Sequence, residues 1–431
     1  MAHVAFLQFH RVPWNGVASL SAWLTQHGHH CTVHCVKPGE APPPADLYGL
    51  ALLAVHSGDW RRYAPTLTAT GVPIVIGGVL ATVSPESIEP RPEWMIRGEG
   101  EIPLLALLEG LGGAPVCDGL YRNGVPTAGA IAERLPIERL PRPDHSLHRN
   151  AFAEVANGRV GHFLFSRGCA FRCSFCYAPA WDALHDGRAV RMRGAEEAVD
   201  EMSEVLSRYP FDDARIYDDN FGSDVRWLRL FARLYRERVG RPFACYLRAD
   251  LLDEQRIRLL AEAGCVEVGV GVETWSERLR AQVLKKRIPN DRIIKAGEAL
   301  RRYGVALTVF LIFGLPEETP TDAAENVRML SELRPDFVWT SRLQVYPGTP
   351  MEDQVRELGL FRWKEDDYSR SDNPREAELF RVETLMPLAQ ALRLPADAVR
   401  YLARLPATPV WKRLSAPARK RSHARSLICR G

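Results

Sequence analysis

Residues 166–177 read "SRGCAFRCSFCY", which places Cys169, Cys173 and Cys176 at spacings of four and three, with Phe171, Phe175 and Tyr177 around them. The whole chain has nine cysteines, so a third of them fall in this one stretch. Clustered cysteines in a reducing compartment are more often metal ligands or catalytic groups than halves of a disulfide framework. Structural zinc sites take four protein ligands, commonly as two pairs. A second pair is not evident: Cys31 and Cys35 lie far upstream, and Cys245 and Cys265 are isolated. His162 and His185 are near enough in sequence to keep a zinc site open. Thiolates also hold iron–sulfur clusters, and three of them leave one iron open for another ligand.

The surrounding chain has ordinary proportions. It has 431 residues, 46% apolar and 25% charged, with a formal charge of +3. That is the composition of a soluble globular protein long enough for one large core or two ordinary domains. The weak net charge gives no call for nucleic acid or membrane, although the last stretch, "WKRLSAPARKRSHARSLICRG", is locally basic. A solvated tail is the plain account of it, RNA or phosphate contact the other. No run approaches the roughly 18 apolar residues of a membrane span, and "MAHVAFLQFH" lacks the basic start and long apolar run of a signal peptide. A cytoplasmic location is expected.

The first 110 residues alternate apolar runs, "VAFLQF", "CTVHCV", "LALLAV", "PIVIGG" and "WMIRGEG", with helix-like segments such as Val17–His27 and Ile102–Glu109. Strands alternating with helices predict a doubly wound parallel sheet over residues 1–112, whose ligands sit beyond the carboxyl ends of the strands. Residues 111–158 are punctuated by Gly112, Gly113, Pro115, Gly124, Pro126, Pro136, Pro141 and Pro143, and 113–158 read as a linker or small excursion. From 159 to 360 the alternation returns: "HFLFS", "ARIYDD", "ACYLRA", "VEVGVGVE", "LTVFLIFG" and "FVWTSRLQVY" are strand candidates. Amphipathic stretches separate them, such as Ala195–Ser207 with Val199, Met202, Val205 and Leu206 on one face. Six such units predict a parallel sheet curved into a partial barrel, with chemistry at the C-terminal rim where the three cysteines lie. Residues 361–431 read as a charged, mainly helical tail, with one helix near Leu385–Leu392. The expected class is α/β throughout.

The spacing C-x3-C-x2-C after the first strand of such a barrel resembles the signature of the radical S-adenosylmethionine (SAM) superfamily. The resemblance extends over roughly residues 1–360, to the subfamily with an N-terminal cobalamin-binding domain. "IYDDNF" (216–221) stands where other branches of the superfamily carry Gly-Gly-Glu; "CYLRAD" (245–250), "GVGVET" (269–274), "LIFGLPEET" (311–319) and "VYPGT" (345–349) then recur in that subfamily's order, and "VIGGVLAT" (75–82) and "IRGEGE" (96–101) match its N-terminal glycine turn and loop. The resemblance implies that Cys169, Cys173 and Cys176 hold a [4Fe–4S] cluster whose open iron is chelated by S-adenosylmethionine. One-electron reduction then yields methionine and a 5′-deoxyadenosyl radical that abstracts hydrogen, the radical chemistry belonging to the cofactor. An electron donor such as flavodoxin or ferredoxin is implied, as is a small-molecule substrate.

Other candidate residues carry two readings each. Asp218, and after it Asp219, end a strand where a carboxylate meets the cofactor's ammonium group, or else closes an Asx-turn. Glu273 is assigned the ribose hydroxyls by resemblance; an ion pair with Lys285 or Lys286 is the alternative. Arg248 is suited to the cofactor's carboxylate or to a structural salt bridge. Tyr177, beside the last cysteine, is a cofactor-contact candidate, and Tyr217 a proton or hydrogen donor, against a plain core role. Gly77, Gly78, Gly98 and Gly100 let a flat corrin pass close to the backbone, or mark turns of positive φ. Glu99 and Glu101 begin a helix under the simplest reading. Many cobalamin domains carry Asp-x-His-x-x-Gly after the first strand; here His10 stands without that Asp and Gly, so it is not expected to be a strong axial ligand.

Methyl transfer to an unactivated carbon or to phosphorus is the leading expectation. Cluster-only dehydration or epimerisation of a sugar-like substrate, with a vestigial first domain, is the second. RNA methylthiolation and a zinc-binding interaction module remain minor alternatives.

Overall fold

The computed structural model describes residues 1–10, 14–147, 160–185, 190–364 and 367–371, together with Glu383, Met386 and Gln390. Two main sheets organise it. The first contains β1 (His3–Gln8), β2 (His30–Cys35), β3 (Leu47–Ala51), β4 (Ile74–Gly77), β5 (Trp94–Ile96), β6 (Leu120–Arg122) and β7 (Val125–Pro126), in the order β2-β1-β3-β4-β5-β6-β7. Pairing is parallel from β2 through β5 and antiparallel beyond. Alternate residues of these strands face opposite layers. Leu7, Leu50 and Ile76 pack with Trp60, Tyr63 and Leu67 of α2 (Ser57–Thr68), while Val4, Phe6 and Val75 pack with Leu24 of α1 (Asn15–Gln26). The short α3 (Val79–Val83) follows β4, and α4 (Glu101–Glu109) follows β5 and joins the α1 face through Leu104 and Leu107. Apolar burial on both faces makes the sheet doubly wound.

Two details differ from the sequence expectation. The third strand starts at Leu47, so "LALLAV" overlaps only its end. The expected linker holds the hairpin β6–β7, which extends the sheet. Its turn residues Asn123 (φ 51°) and Gly124 (φ 84°) are both left-handed, the geometry that matches hairpin twist and that an Asn-Gly pair supplies. Residues 148–159 lie outside the described part of that stretch.

The second sheet is all parallel, in the order β15-β14-β13-β12-β11-β8. Its strands are β8 (Val160–Phe163), β11 (Asp213–Ile216), β12 (Phe243–Tyr246), β13 (Cys265–Glu273), β14 (Ala306–Phe313) and β15 (Phe337–Arg342). A separate two-stranded ribbon pairs β9 (Ser166–Arg167) antiparallel with β10 (Arg191–Met192), and α5 (Tyr177–Ala183) lies between them in sequence. Helices α6 (Ala195–Arg208), α7 (Val225–Arg238), α8 (Glu254–Ala263), α9 (Glu277–Gln282), α10 (Asn290–Arg302), α11 (Pro320–Glu332) and α12 (Pro350–Glu357) complete the barrel units. The helix-facing side chains of the strands, among them Ile216, Phe243, Val268, Val309 and Leu311, join Met202, Phe231, Leu260 and Leu300 in one core. Asp224 caps α7 by accepting from the Arg226 and Trp227 amides at 2.8 and 3.3 Å, and Asp253 caps α8. Such caps fix where each helix starts, and so the length of each rim loop.

Past residue 360 the chain forms a hairpin, β16 (Phe361–Lys364) with β17 (Asp367–Ser371), where a helical tail was expected. Glu383, Met386 and Gln390 are helical and fall at helical spacing; the rest of the expected C-terminal helix and the basic tail lie outside the described residues.

Candidate functional site

The loop after β9 carries the three cysteines, and local anchors fix it at its centre. The Ser174 hydroxyl donates to the Val283 carbonyl at 2.6 Å and its amide to the Leu284 carbonyl at 3.0 Å. Its own carbonyl accepts from the Met351 amide at 3.0 Å. The loop is thereby pinned to the segment after α9 and to the start of α12. Cys176 is the N-cap of α5, its sulfur accepting from the Ala178 amide at 3.4 Å.

The other two sulfurs also face N–H donors. Asn220 Nδ2 lies 3.5 Å from Cys169 Sγ, and Arg248 Nη1 lies 3.3 Å from Cys173 Sγ. Arg248 stacks its guanidinium 3.7 Å from the Phe171 ring centroid, and its backbone amide donates to Asn220 Oδ1 at 3.2 Å. As free thiols, Cys169 and Cys176 are pushed up by burial, Cys176 to about 12. Metal coordination removes that proton outright, and N–H donors aimed at the sulfurs then stabilise the anion. Among the described residues no three His, Cys, Asp or Glu side chains stand close enough to hold a single metal ion. Three thiols, each facing an N–H donor within one pinned loop, fit the corner ligands of a larger cluster.

The structure separates the two aspartates. Asp218 is buried, and its Oδ2 accepts from the Phe165 amide at 3.0 Å, with Ser166 also bonded to it. It therefore ties β8 to β11, and burial raises its pKa to about 6. Asp219 instead lines the cavity described below. Desolvation, and after it the charge of Asp182, raises Asp219 to about 6 as well. The carboxylate open to a ligand is thus the second of the pair, a correction to the emphasis on Asp218.

Glu273 and Arg248 are also engaged within the protein. Glu273 Oε1 is 2.9 Å from Lys286 Nζ, which also donates to the Gly271 carbonyl at 2.6 Å; both charges are buried. That is the ion-pair alternative. Glu273 has φ 67°, so the strand end is turned sharply there. Arg248 sends Nε and Nη2 to Asp250 at 3.0 and 2.9 Å, which leaves Nη1 for the cysteine. Tyr217 stacks on His162 with centroids 5.2 Å apart, and its hydroxyl oxygen accepts from Arg215 at 3.0 Å.

A cavity of about 560 Å³ lies between the carboxyl ends of the two sheets. Gly77, Gly78, Gly98 and Gly100 line it from the first sheet; Tyr177, Tyr217 and Asp219 line it from the second. The size suits a cofactor-sized ligand, since such pockets run to roughly 300–1,000 Å³. The glycines divide by cause. A Cβ on Gly78 would lie 2.9 Å from the Leu52 amide, and one on Gly98 3.1 Å from that of Ala132, so their positive φ serves the protein's own packing. Gly77 meets nothing nearer than 3.8 Å and is the glycine with room. His10 does not line the cavity; its ring stacks on His56 and Trp14, each 5.0 Å away.

Sequence reading missed the ion pairs across this cavity. Arg167 donates to Glu99 at 3.0 Å and to Glu101 at 2.6 Å, Arg191 pairs with the other oxygen of Glu99, and Arg134 meets Asp182 at 2.9 Å. Glu101 does begin α4, but its charge is used between the sheets. The partners stand 66 and 92 residues apart, so no local pattern announces them.

Residues 163–330 match the family model of the radical SAM superfamily. Those residues form a radical SAM domain. A radical SAM domain implies a [4Fe–4S] cluster and S-adenosylmethionine, and the match runs from β8 past all three cysteines. Among relatives, cytidylyl-2-hydroxyethylphosphonate methyltransferase of Streptomyces wedmorensis is 26% identical, over 63% of this chain and 58% of its own. The chain spans roughly three fifths of the length of the curated relatives it matches. Two solved structures share the fold. The cobalamin-dependent SAM radical enzyme OxsB superposes with a TM-score of 0.72 at 15% identity, covering 100% of this chain and 72% of OxsB. The radical SAM methyltransferase TsrM of Kitasatospora setae, solved with its tryptophan substrate, gives 0.65 at 22% identity, with 83% and 76% covered. The chain thus shares its fold with those two enzymes.

Proposed function

We propose that this radical SAM chain is a cobalamin-dependent methyltransferase acting on an unactivated carbon, or on phosphorus, of a small metabolite. The observation that carries the reading is the cavity: one wall is a set of glycine turns at the strand ends of a doubly wound sheet, and the other is the flank of the cysteine loop. Such strand ends are where doubly wound sheets bind ligands. The names of the Streptomyces relative and of the Kitasatospora structure support methyl transfer.

When bound, the cluster and S-adenosylmethionine supply one-electron chemistry, and cobalamin supplies a methyl carrier. Cys169, Cys173 and Cys176 would hold the cluster. Arg248, fixed by Asp250, directs its remaining nitrogen at the Cys173 sulfur and orients that corner. Asp219 offers the cavity a carboxylate that a ligand's ammonium group would draw into its ionised form. Tyr217 accepts from Arg215 on its oxygen, so its own O–H remains available to donate toward the cavity. Trp14 and Trp181 cover apolar parts of the wall and exclude water. A small electron carrier such as flavodoxin or ferredoxin would reduce the cluster, and a reducing cytoplasm would keep the thiols available.

The test is equilibrium dialysis of the anaerobically reconstituted full chain against hydroxocobalamin, with iron and sulfide analysis alongside. Stoichiometric cobalamin on a cluster-loaded chain is the expected result. A cluster without cobalamin would overturn the methyltransferase reading in favour of cluster-only dehydration or epimerisation.

A further inference from the structure

The cysteine loop is held to the barrel at its centre, through Ser174. Its two flanks are held elsewhere. Arg167 precedes Cys169 by two residues and spans two carboxylates of the turn after β5, Glu99 at 3.0 Å and Glu101 at 2.6 Å. Arg191 stands directly opposite Arg167 in the β9–β10 ribbon and takes the other oxygen of Glu99. On the far flank, Asp182 in α5 follows Cys176 by six residues and pairs with Arg134 at 2.9 Å. These charges are sheltered: the side chains of Glu101, Glu99 and Asp182 are 4%, 8% and 5% exposed. Sheltered pairs resist salt and water far better than surface ones. Among these residues the charges balance, three arginines against three carboxylates.

We infer that this ion-pair frame is a clamp that sets the cysteine loop at a fixed position against the glycine turn Gly98–Glu101, with Arg167 as its positioning residue. The functional weight of the clamp rests on the methyltransferase reading, in which one cofactor site lies on each side of it. Arg167 fits the role because a planar guanidinium presents separate nitrogens to two carboxylates in a rigid fork, whereas a lysine offers one ammonium on a flexible stem. Loss of Arg167 removes no thiol and no glycine. It frees the register between the two sites instead.

Two measurements on the full chain test this. In the first, amide hydrogen exchange of the cofactor-free protein is compared between wild type, Arg167→Gln, Arg167→Lys and Glu101→Gln. The clamp predicts at least tenfold faster exchange in both 98–101 and 168–178 for Arg167→Gln, with β13 and β14 unchanged and Arg167→Lys intermediate. Unchanged exchange in the two segments, or an equal rise throughout the barrel, overturns the clamp. If Arg167→Gln does not fold, Glu101→Gln carries the same expectation by removing one carboxylate charge.

The second measurement loads cluster and hydroxocobalamin, reduces both, and reads the spin relaxation of the cobalt signal caused by the reduced cluster. Arg167→Gln should lose most of that enhancement while retaining wild-type iron content. Retained enhancement beside locally raised exchange overturns the positioning role. A wild type that binds no cobalamin overturns the methyltransferase reading alone, since exchange in the cofactor-free chain still decides the clamp.

Discussion

Glu318 couples the stability of the site to pH. It lies in the turn after β14, is 2% exposed, and its Oε2 accepts from the amides of Gly314 at 2.6 Å and Leu315 at 3.0 Å. Leu315 belongs to the apolar cluster against which Phe175 of the cysteine loop packs. Burial outweighs the two amides and raises Glu318 from 4.5 to about 8. The sign follows directly: between those values the folded chain keeps a proton that the unfolded chain has lost, so stability falls as pH rises. From pH 6 to pH 7.5 the loss attributable to this group is about 2 kcal/mol, from the titration of one site with those two pKa values. Glu318→Gln keeps an oxygen for the two amides and carries no titrating proton. Urea unfolding of cofactor-free wild type and Glu318→Gln at both pH values checks this, and the difference between the two proteins cancels other titrating groups. The variant should gain about 2 kcal/mol on wild type between pH 6 and 7.5. Equal pH dependence in the two proteins would refute a protonated Glu318.

The remaining predictions concern the site. Cys169→Ala, Cys173→Ala or Cys176→Ala should each lose the iron measured after anaerobic reconstitution, whereas Cys245→Ala and Cys265→Ala, buried in β12 and β13, should keep it. Glu273→Ala leaves Lys286 buried without its partner and should cost about 3–5 kcal/mol in urea unfolding; a change below 1 kcal/mol would show that the pair is solvated in solution. Gly77→Trp should abolish hydroxocobalamin binding in equilibrium dialysis, because Gly77 lines the cavity with no close neighbour to displace. His10→Ala should leave the absorption spectrum of bound hydroxocobalamin unchanged, since that ring packs on His56 and Trp14 and does not itself line the cavity.

The elements that sequence reading located are those whose cause is local. Val199, Met202, Val205 and Leu206 recur at helical spacing and are all buried in α6. Three cysteines at fixed spacing needed no partner elsewhere to be noticed. The β6–β7 hairpin was also written locally, in Asn123-Gly124, but the density of Gly and Pro around it masked that signal. The roles of the acidic residues were different in kind. Whether Asp218 or Asp219 faces a ligand depends on which one the Phe165 amide, 53 residues earlier, takes up. Glu273 was equally ambiguous until Lys286 appeared within 2.9 Å. In each case the side chain's chemistry is set by burial and by a partner distant in sequence, and neither is a property of the residue's neighbours along the chain.

The ion pairs between the sheets extend the same point to function. A doubly wound sheet and a parallel barrel each present ligands at the carboxyl ends of their strands, so joining them productively requires those ends to face one another across a shared space. Glycine turns supply the close approach, but they cannot fix a distance, because they carry no side chain. A wholly apolar contact would fix it only by filling the space that a ligand must occupy. Sheltered charges at the flanks of the cysteine loop leave the middle open, since Arg167, Arg191 and Asp182 line the cavity while also holding Glu99, Glu101 and Arg134. On the proposed reading, the spacing of the two cofactor sites therefore depends on six side chains, none of them a cysteine or a glycine.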